Sequence, residues 1–230
     1  MADNKHVPDA DSSEAVIAKA KGFWEKYSKP LMIVSILLIV VVGGWYGYQH
    51  FVVKPKEEKA VEAMFRAEEY FRMDSLKLAL NGDGQNLGFE KIADKFSGTK
   101  TAELAKFYAG TCNLRLNNFD KAVKYLKDFS SSSDLIQARA YKLLGDAYAE
   151  QGKNEDALSN YKKAGRHFAK DDANSPDYLF TAAYFADRVM KNKEEAISLY
   201  KELKEKFPAS TQAVDAENYL AQLGVYNTEN

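Results

Sequence analysis

The chain has 230 residues, of which 46% are hydrophobic and 28% are charged. This length fits one membrane segment and one globular domain of ordinary size, and leaves little room for two large domains. Because 32 basic residues face 33 acidic ones, the near-zero net charge predicts no nucleic-acid partner. Cys112 is the single cysteine, which excludes an internal disulfide.

Residues 1–29 are predicted to form a cytoplasmic segment with an amphipathic helix. Ser12 or Ser13 is a candidate N-cap for that helix. Apolar residues then recur at helical spacing opposite lysines, a pattern typical of a helix that lies on a membrane surface. The apolar positions are Val16, Ile17, Ala20, Phe23, Trp24 and Tyr27.

Residues 30–53 are predicted to be a transmembrane helix, with Pro30 as a favourable first residue. No charged side chain occurs between Leu31 and Val53, and this length covers a hydrocarbon core of about 30 Å. Because some thirty residues precede it, without a convincing cleavage site, an uncleaved anchor is favoured over a signal peptide. A buried helix of a soluble core is the alternative that the apolar length disfavours. Aromatic side chains predicted at the two membrane interfaces are Trp24, Tyr27, Trp45, Tyr46 and Tyr48.

Lysines flank both ends of this span. Four precede it and three follow it within a few residues, so the positive-inside rule favours a cytoplasmic N-terminus only slightly.

Residues 54–230 are predicted to form an all-α domain of tetratricopeptide repeats. The first part is a long helix, Ala60–Leu80, followed by Phe89, Ile92 and Phe96 in the second helix of a degenerate repeat. Between them, residues 81–86 read NGDGQN. We interpret this stretch as a helix stop and a turn, because it lacks the ligand spacing of a calcium loop and the Gly-Lys-Ser/Thr of a phosphate loop.

The clearest repeat is Tyr141–Ala164, where small and large residues stand at the signature spacings of the tetratricopeptide repeat. An equivalent of Gly145 occurs 35 residues earlier at Gly110. The frame continues downstream after a longer connection, HFAKDDANSPDY, and a helix over Thr211–Leu223 is predicted to cap the stack. The predicted architecture is therefore a transmembrane helix followed by about three and a half repeats and a capping helix. The signature positions of the clearest repeat are Leu144, Gly145, Tyr148, Gly152, Ala157, Tyr161 and Ala164.

No catalytic residue, metal site or cofactor is predicted. His6, His50 and His167 have no paired metal-ligand spacing around them. Cys112 has no Cys or His at ligand spacing and is interpreted as a small core residue. The sequence thus favours a non-enzymatic protein, although distant residues could still assemble a site.

A stack of helical hairpins offers a curved inner face for an extended peptide or a partner helix. The first helix of each repeat lines that face, so its residues are the candidate partner-binding positions. Burial against a neighbouring helix is an equally weighted alternative for Phe107 and Phe185. The candidates are Phe107, Thr111, Leu114, Arg139, Lys142, Asp146, Tyr178, Thr181, Phe185 and Arg188.

Taken with these features, the order of segments resembles that of the YfgM family: a short N-terminal segment, a span ending in Gly43-Gly44-Trp45-Tyr46, a connecting helix and repeats. The chain also resembles tetratricopeptide proteins of Bacteroidetes. The resemblance implies an ancillary subunit of the SecYEG translocon in the bacterial inner membrane, with the N-terminus cytoplasmic and the repeats periplasmic. It further implies that the protein acts together with a PpiD-like periplasmic chaperone on emerging polypeptide chains, and that it contacts membrane lipid.

Two alternatives remain from the sequence. The stretch KFPAST, residues 206–211, and the helix after it are similar to repeats of outer-membrane assembly and Tol-associated proteins, which implies a cell-envelope scaffold. Those proteins are usually lipoproteins or cleaved, whereas no cysteine lies near the apolar segment here. A mitochondrial import receptor has a similar layout, but typically a shorter array.

Overall fold

The computed structural model describes residues 10–168 and 170–226, with side chains from Val16 onward. Regular structure in this part of the chain is helical, with one isolated bridge between Gly82 and Leu87, which confirms the predicted all-α class. The chain divides after Pro55 into an N-terminal unit and a repeat unit. The helices are α1 (Ala10–Tyr48), a π-helical turn (Gln49–Val53), α2 (Lys54–Arg72), α3 (Leu76–Asn81), α4 (Phe89–Lys95), α5 (Lys100–Arg115), α6 (Phe119–Asp128), α7 (Asp134–Glu150), α8 (Asn154–His167), α9 (Ser175–Arg188), α10 (Lys193–Lys206) and α11 (Thr211–Gln222).

In the N-terminal unit, α1 runs for 39 residues with Pro30 inside it. The prediction that a helix starts at Pro30 was therefore wrong. Proline removes one backbone hydrogen bond and crowds the preceding turn, but the helix-forming stretches on both sides carry α1 through it. Ser12 and Ser13 also lie within α1, so neither is its N-cap. His6 lies outside the described residues.

The apolar part of this helix is exposed throughout. Val16–Arg72 is one continuous helical segment whose most apolar window has a mean hydropathy of 2.1 and no buried residue. By length and composition it can cross a membrane. The π-helical turn follows the apolar stretch, and there the N–H of Lys54 donates to the carbonyl of Gln49, five residues back. Pro55 has no N–H to continue the regular ladder, which accounts for the wider turn.

The repeat unit begins with two helices where one was predicted. The Ala60–Leu80 helix was a wrong prediction, because α2 ends at Arg72 and Asp74 adopts a left-handed conformation with φ of 58°. The N–H of Ser75 then donates to the carbonyl of Tyr70 at 2.9 Å, which closes the end of α2 before α3 starts.

The NGDGQN stretch forms a turn around Asp83. One carboxylate oxygen of Asp83 accepts the backbone N–H groups of Gln85 and Asn86 at 2.9 and 2.6 Å. The other accepts the hydroxyl of Tyr70 at 2.7 Å. These hydrogen bonds hold the pKa of Asp83 well below its usual range. The turn interpretation is confirmed, since the carboxylate is used by the loop itself.

Three helical hairpins follow α4, namely α5/α6, α7/α8 and α9/α10, and α11 packs on α9 and α10 as the predicted cap. Close approach within the first two pairs depends on glycine. A Cβ built on Gly145 would lie 2.6 Å from ring carbons of Tyr161, and one on Gly110 would lie 2.5 Å from Cγ of Leu126. The two glycines are 35 residues apart, and so are their two partners. The same contact between helices therefore recurs with the period of the sequence repeat.

Two polar contacts fix the joints of the repeat unit. The carboxylate of Glu57 on α2 accepts the N–H groups of Lys100 and Thr101 at 2.8 and 3.0 Å, so it caps the free N–H groups that begin α5. In the long connection before α9, the Asp171 carboxylate accepts the N–H groups of Ala173 and Asn174, each at 3.1 Å. The extra residues of that connection thus build a turn that leads into α9.

Candidate functional site

Arg139 on α7 is one of the residues predicted for the inner face. This arginine is exposed on α7. Its charge acts on two tyrosines of the neighbouring first helices, Tyr108 of α5 and Tyr178 of α9. Arg139 is therefore near enough to both tyrosines for its positive charge to act on them.

Both tyrosines keep their protons at neutral pH. Burial is the main cause that raises the pKa of Tyr108, and the carboxylate of Glu68 adds to it while Arg139 and Arg72 oppose it. Burial likewise raises the pKa of Tyr178, again against the effect of Arg139. Two hydroxyl groups that can donate hydrogen bonds thus lie within electrostatic range of one guanidinium.

A pocket of about 360 Å³ adjoins this face, between the C-terminal part of α5 and α7. We call it the central pocket. It contains three of the predicted partner-binding residues, Leu114, Lys142 and Asp146. The remaining residues of its lining are Asn117, Phe119, Ala149, Glu150 and Tyr161.

Asp146 is the polar anchor of the central pocket. Nζ of Lys142 lies 2.9 Å from one carboxylate oxygen of Asp146, and the hydroxyl of Tyr161 donates to the other at 3.0 Å. Burial, reinforced by the Asp146 charge, raises the pKa of Tyr161. The Lys142–Asp146 pair is partly exposed, so it is worth at most about 1 kcal/mol and can be exchanged for a ligand group. A negative Asp146 disfavours a peptide C-terminal carboxylate here.

Three predicted site residues are buried, so their assignment to the inner face was wrong. Phe107 and Thr111 are each 8% exposed, and Phe185 is 9% exposed. The ring of Phe107 packs 5.5 Å from that of Phe129, and the ring of Phe185 packs 5.3 Å from that of Tyr161. The hydroxyl of Thr111 donates to the carbonyl of Phe107 at 2.8 Å. Each belongs to the packing between helices rather than to an open surface.

Thr181 and Arg188 are used by their own surroundings. The hydroxyl of Thr181 donates to the carbonyl of Asp177 at 2.9 Å. The guanidinium of Arg188 donates to the side-chain oxygen of Gln222 at 2.9 Å and lies 5.4 Å from the ring centre of Tyr219. Arg188 therefore joins α9 to the capping helix.

Sequence reasoning missed Tyr108 and the two charged residues of α2 that act on it, Glu68 and Arg72. Tyr108 directly follows Phe107, and α5 carries apolar residues on more than one side. Both rings pack on apolar neighbours, since the ring of Tyr108 lies 4.9 Å from that of Phe89. Periodicity could not show that Tyr108 is the one that stays partly exposed. A usable signal was the hydroxyl of Tyr108, since a tyrosine favours a position with one polar edge in solvent over a closed core.

The five aromatic residues predicted for the membrane interfaces all lie in the N-terminal unit, with large exposed surfaces. Their ring contacts are local, as between Phe23 and Tyr27 at 4.8 Å and between Tyr46 and His50 at 6.1 Å. The exposed side chains are Trp24, Tyr27, Trp45, Tyr46 and Tyr48.

The single cysteine is a buried structural residue. Burial raises the pKa of Cys112 to about 12, so its thiol stays protonated and is a poor nucleophile. No cluster of three or more His, Cys, Asp or Glu residues that could hold a metal ion occurs among the described residues.

Comparison with protein families agrees with the packing of the hairpins. A model described as a tetratricopeptide repeat-like domain matches residues 21–140, more than half of the chain. The chain belongs to this tetratricopeptide repeat-like family. A tetratricopeptide repeat model also matches residues 177–210, which cover most of α9 and α10. No curated protein shows a significant match.

The first family match begins at residue 21, ahead of the apolar segment. Tyr141–Ala164, the stretch with the clearest signature, lies between the two matched ranges and forms most of α7 and α8. Tetratricopeptide repeats are interaction modules that bind other proteins. This protein is therefore a tetratricopeptide repeat-like interaction module, and its described residues include one helix long and apolar enough to span a membrane.

Proposed function

We propose that the inner face and the central pocket together bind an extended segment of a protein partner. The electrostatic proximity of Arg139 to Tyr108 and Tyr178 carries this proposal, because the three side chains offer hydrogen-bond donors to the carbonyl groups of a peptide backbone. Leu114 and Phe119 give the neighbouring pocket an apolar wall, which suits one uncharged side chain of the same segment.

We further propose that the protein is an ancillary subunit of the SecYEG translocon. In this proposal the apolar helix crosses the bacterial inner membrane with a cytoplasmic N-terminus, and the repeats face the periplasm beside a PpiD-like chaperone. What supports it is the order of segments, which resembles that of the YfgM family. A tether of this kind raises the local concentration of the repeats near emerging chains without tight contacts.

Site-specific photo-crosslinking in native membranes tests both parts. A photoreactive amino acid replaces Lys142 in the central pocket, and the matched control replaces Lys201, an exposed residue of α10. We expect SecY, a PpiD-like chaperone or emerging chains to crosslink from position 142 and not from position 201. Equal crosslinking from both positions would refute the inner-face site.

The identity of the crosslinked proteins separates the translocon from its alternative. Recovery of outer-membrane assembly or Tol components alone would replace the translocon proposal with that of a cell-envelope scaffold. Removal of residues 1–53 tests the tether separately. If the repeat unit still co-purifies with the translocon, the repeats rather than the anchor hold it there.

A further inference from the structure

The first part of α1 has an apolar stripe that nothing in the described chain covers. Val16, Ile17 and Trp24 are 65%, 65% and 66% exposed, and Phe23 is 57% exposed. At 3.6 residues per turn, the apolar side chains fall within an arc of about 120° along the helix. The stripe consists of Val16, Ile17, Ala20, Phe23, Trp24 and Tyr27.

Lysines border this stripe on both sides. At helical spacing, Lys19 and Lys26 lie along one edge and Lys21 lies along the other. Lys29 and Glu25 fall on the opposite side of the helix. Residues 16–29 therefore carry four lysines and one glutamate, and the positive charge is concentrated where long side chains can reach past an apolar surface.

Residues 16–29 also extend beyond what a bilayer can contain. α1 and the π-helical turn hold 39 and 5 residues, which corresponds to roughly 66 Å of helix. This is about twice the ~30 Å of a hydrocarbon core. Pro30 stands at the junction with the span, and as an internal proline it favours a bend there.

We propose that residues 16–29 form a lipid-binding arm that lies on the surface of an anionic bilayer. The apolar stripe sinks to the boundary between headgroups and acyl chains, while the bordering lysines contact the negatively charged lipid groups. Aromatic rings with polar edges, such as those of Trp24 and Tyr27, are typical of that depth. This second attachment is independent of the partner proposed for the repeats.

A second copy of the arm is the less favourable occupant of the stripe. Pairing two arms in parallel would bring Lys19, Lys21 and Lys26 of one helix close to the same lysines of the other. Like charges along the edges of a helix pair oppose association. An anionic lipid surface instead neutralises every one of these lysines.

The full-length protein with Trp45→Phe provides the test, because Trp24 is then its single tryptophan. It is reconstituted in vesicles of phosphatidylcholine alone or of phosphatidylcholine mixed with phosphatidylglycerol. We expect acrylamide quenching of Trp24 to fall at least about twofold in the anionic vesicles, with emission at shorter wavelength. Lys19→Gln with Lys26→Gln should remove most of this difference.

Two glutamate substitutions of equal charge serve as a matched pair. Ala20→Glu places a carboxylate in the apolar stripe, whereas Ala18→Glu places it on the polar side. We expect Ala20→Glu to restore quenching and Ala18→Glu to leave more of the protection. Full quenching of Trp24 in both kinds of vesicle would refute the proposal that residues 16–29 bind the bilayer surface. Equal protection in neutral vesicles would overturn anionic-lipid binding, and protection that grows with protein density would indicate a second copy instead.

Discussion

Helix α1 and helix α5 differ in whether other parts of the chain pack against them. From Val16 to Val53, no described side chain of the N-terminal unit is buried. In α5, by contrast, Ala109 and Cys112 are completely buried among neighbouring helices. Most helices in water need such tertiary packing. An apolar helix in lipid needs none, because it satisfies its own backbone hydrogen bonds.

Glycine sharpens this contrast. In the repeat unit, Gly110 and Gly145 allow a neighbouring side chain to approach where a Cβ would collide with it. In α1, a Cβ on Gly43, Gly44 or Gly47 would meet nothing within 4 Å. Glycine therefore marks close packing in the repeat unit and open space in α1. The same substitution should destabilise the first and leave the second unchanged.

The largest expected effect is the loss of a core side chain. Leu179→Ala should lower the free energy of unfolding of the repeat unit by about 3 kcal/mol, because Leu179 is completely buried against Gly165. Denaturant unfolding of the full-length protein in detergent, followed by circular dichroism, measures this. Leu37→Ala in α1 is the control and should leave the transition unchanged. If Leu37→Ala lowered the free energy of unfolding by a similar amount, the proposed difference in packing between α1 and the repeat unit would be wrong.

A charged residue in the apolar part of α1 should impair membrane insertion, whereas one on the surface of the repeat unit should not. Ile39→Arg should disfavour membrane insertion by about 3 kcal/mol, because arginine at the centre of a bilayer loses its hydration. The measured quantity is the fraction of protein that resists alkaline extraction from membranes. Ser198→Arg, at an exposed position of α10, should extract like the unsubstituted protein. Unchanged retention of Ile39→Arg would argue against a spanning helix.

Gly145→Ala should lower the free energy of unfolding of the repeat unit by about 2 kcal/mol. The added methyl group would meet the ring of Tyr161, which is itself buried between α7 and α8. Denaturant midpoints measure the effect, and Gly44→Ala is the matched control with open space around it. If the two substitutions behaved alike, the close approach of α7 and α8 would not be a stabilising contact.

A smaller, pH-dependent effect is expected at Glu202. Burial by itself would raise the pKa of Glu202, but hydrogen bonds from Arg166 and Lys206 hold this pKa below its usual range. A lowered pKa in the folded state stabilises the protein above the unfolded-state pKa of about 4.3, and this stability is lost as the pH falls through the folded-state value. After allowance for solvent screening, Glu202→Gln should cost about 0.5–1 kcal/mol at neutral pH.

The difference between this variant and the unsubstituted protein should disappear in acid. Denaturant unfolding at neutral pH and near pH 3 measures it, with the exposed Glu205→Gln as the control. A cost at Glu202 that persists unchanged in acid would show that packing, rather than charge, is responsible.

Much of the fold could be predicted from the sequence because small residues recur with the period of the hairpins. Gly110, Gly145 and the cap over Thr211–Leu223 followed from spacing alone. The break after Arg72 did not, because the left-handed conformation of Asp74 carries no strong local signal without glycine. The prediction at Pro30 failed for the opposite reason. Proline is a strong signal for the start of a helix, but α1 continues through it.

The inner face was harder to predict than the helices. Leu114, Lys142 and Asp146 do meet in one pocket, because α5 and α7 are set side by side by the repeat. Phe107 and Phe185 do not face it, since periodicity gives the side of a helix only to within about one residue. Glu68 and Arg72 were missed because α2 meets α5 through contacts distant in sequence, such as that of Phe71 with Tyr108.

The glycine contact recurs after 35 residues in the first two hairpins, so the same close approach is built twice within single repeats. Gly110 meets Leu126 and Gly145 meets Tyr161 within their own hairpins, so neither contact depends on how many hairpins follow. Such an array has no single centre that fixes its size. Evolution can therefore lengthen or shorten it by whole modules, changing the reach of the binding surface while every existing joint keeps its geometry.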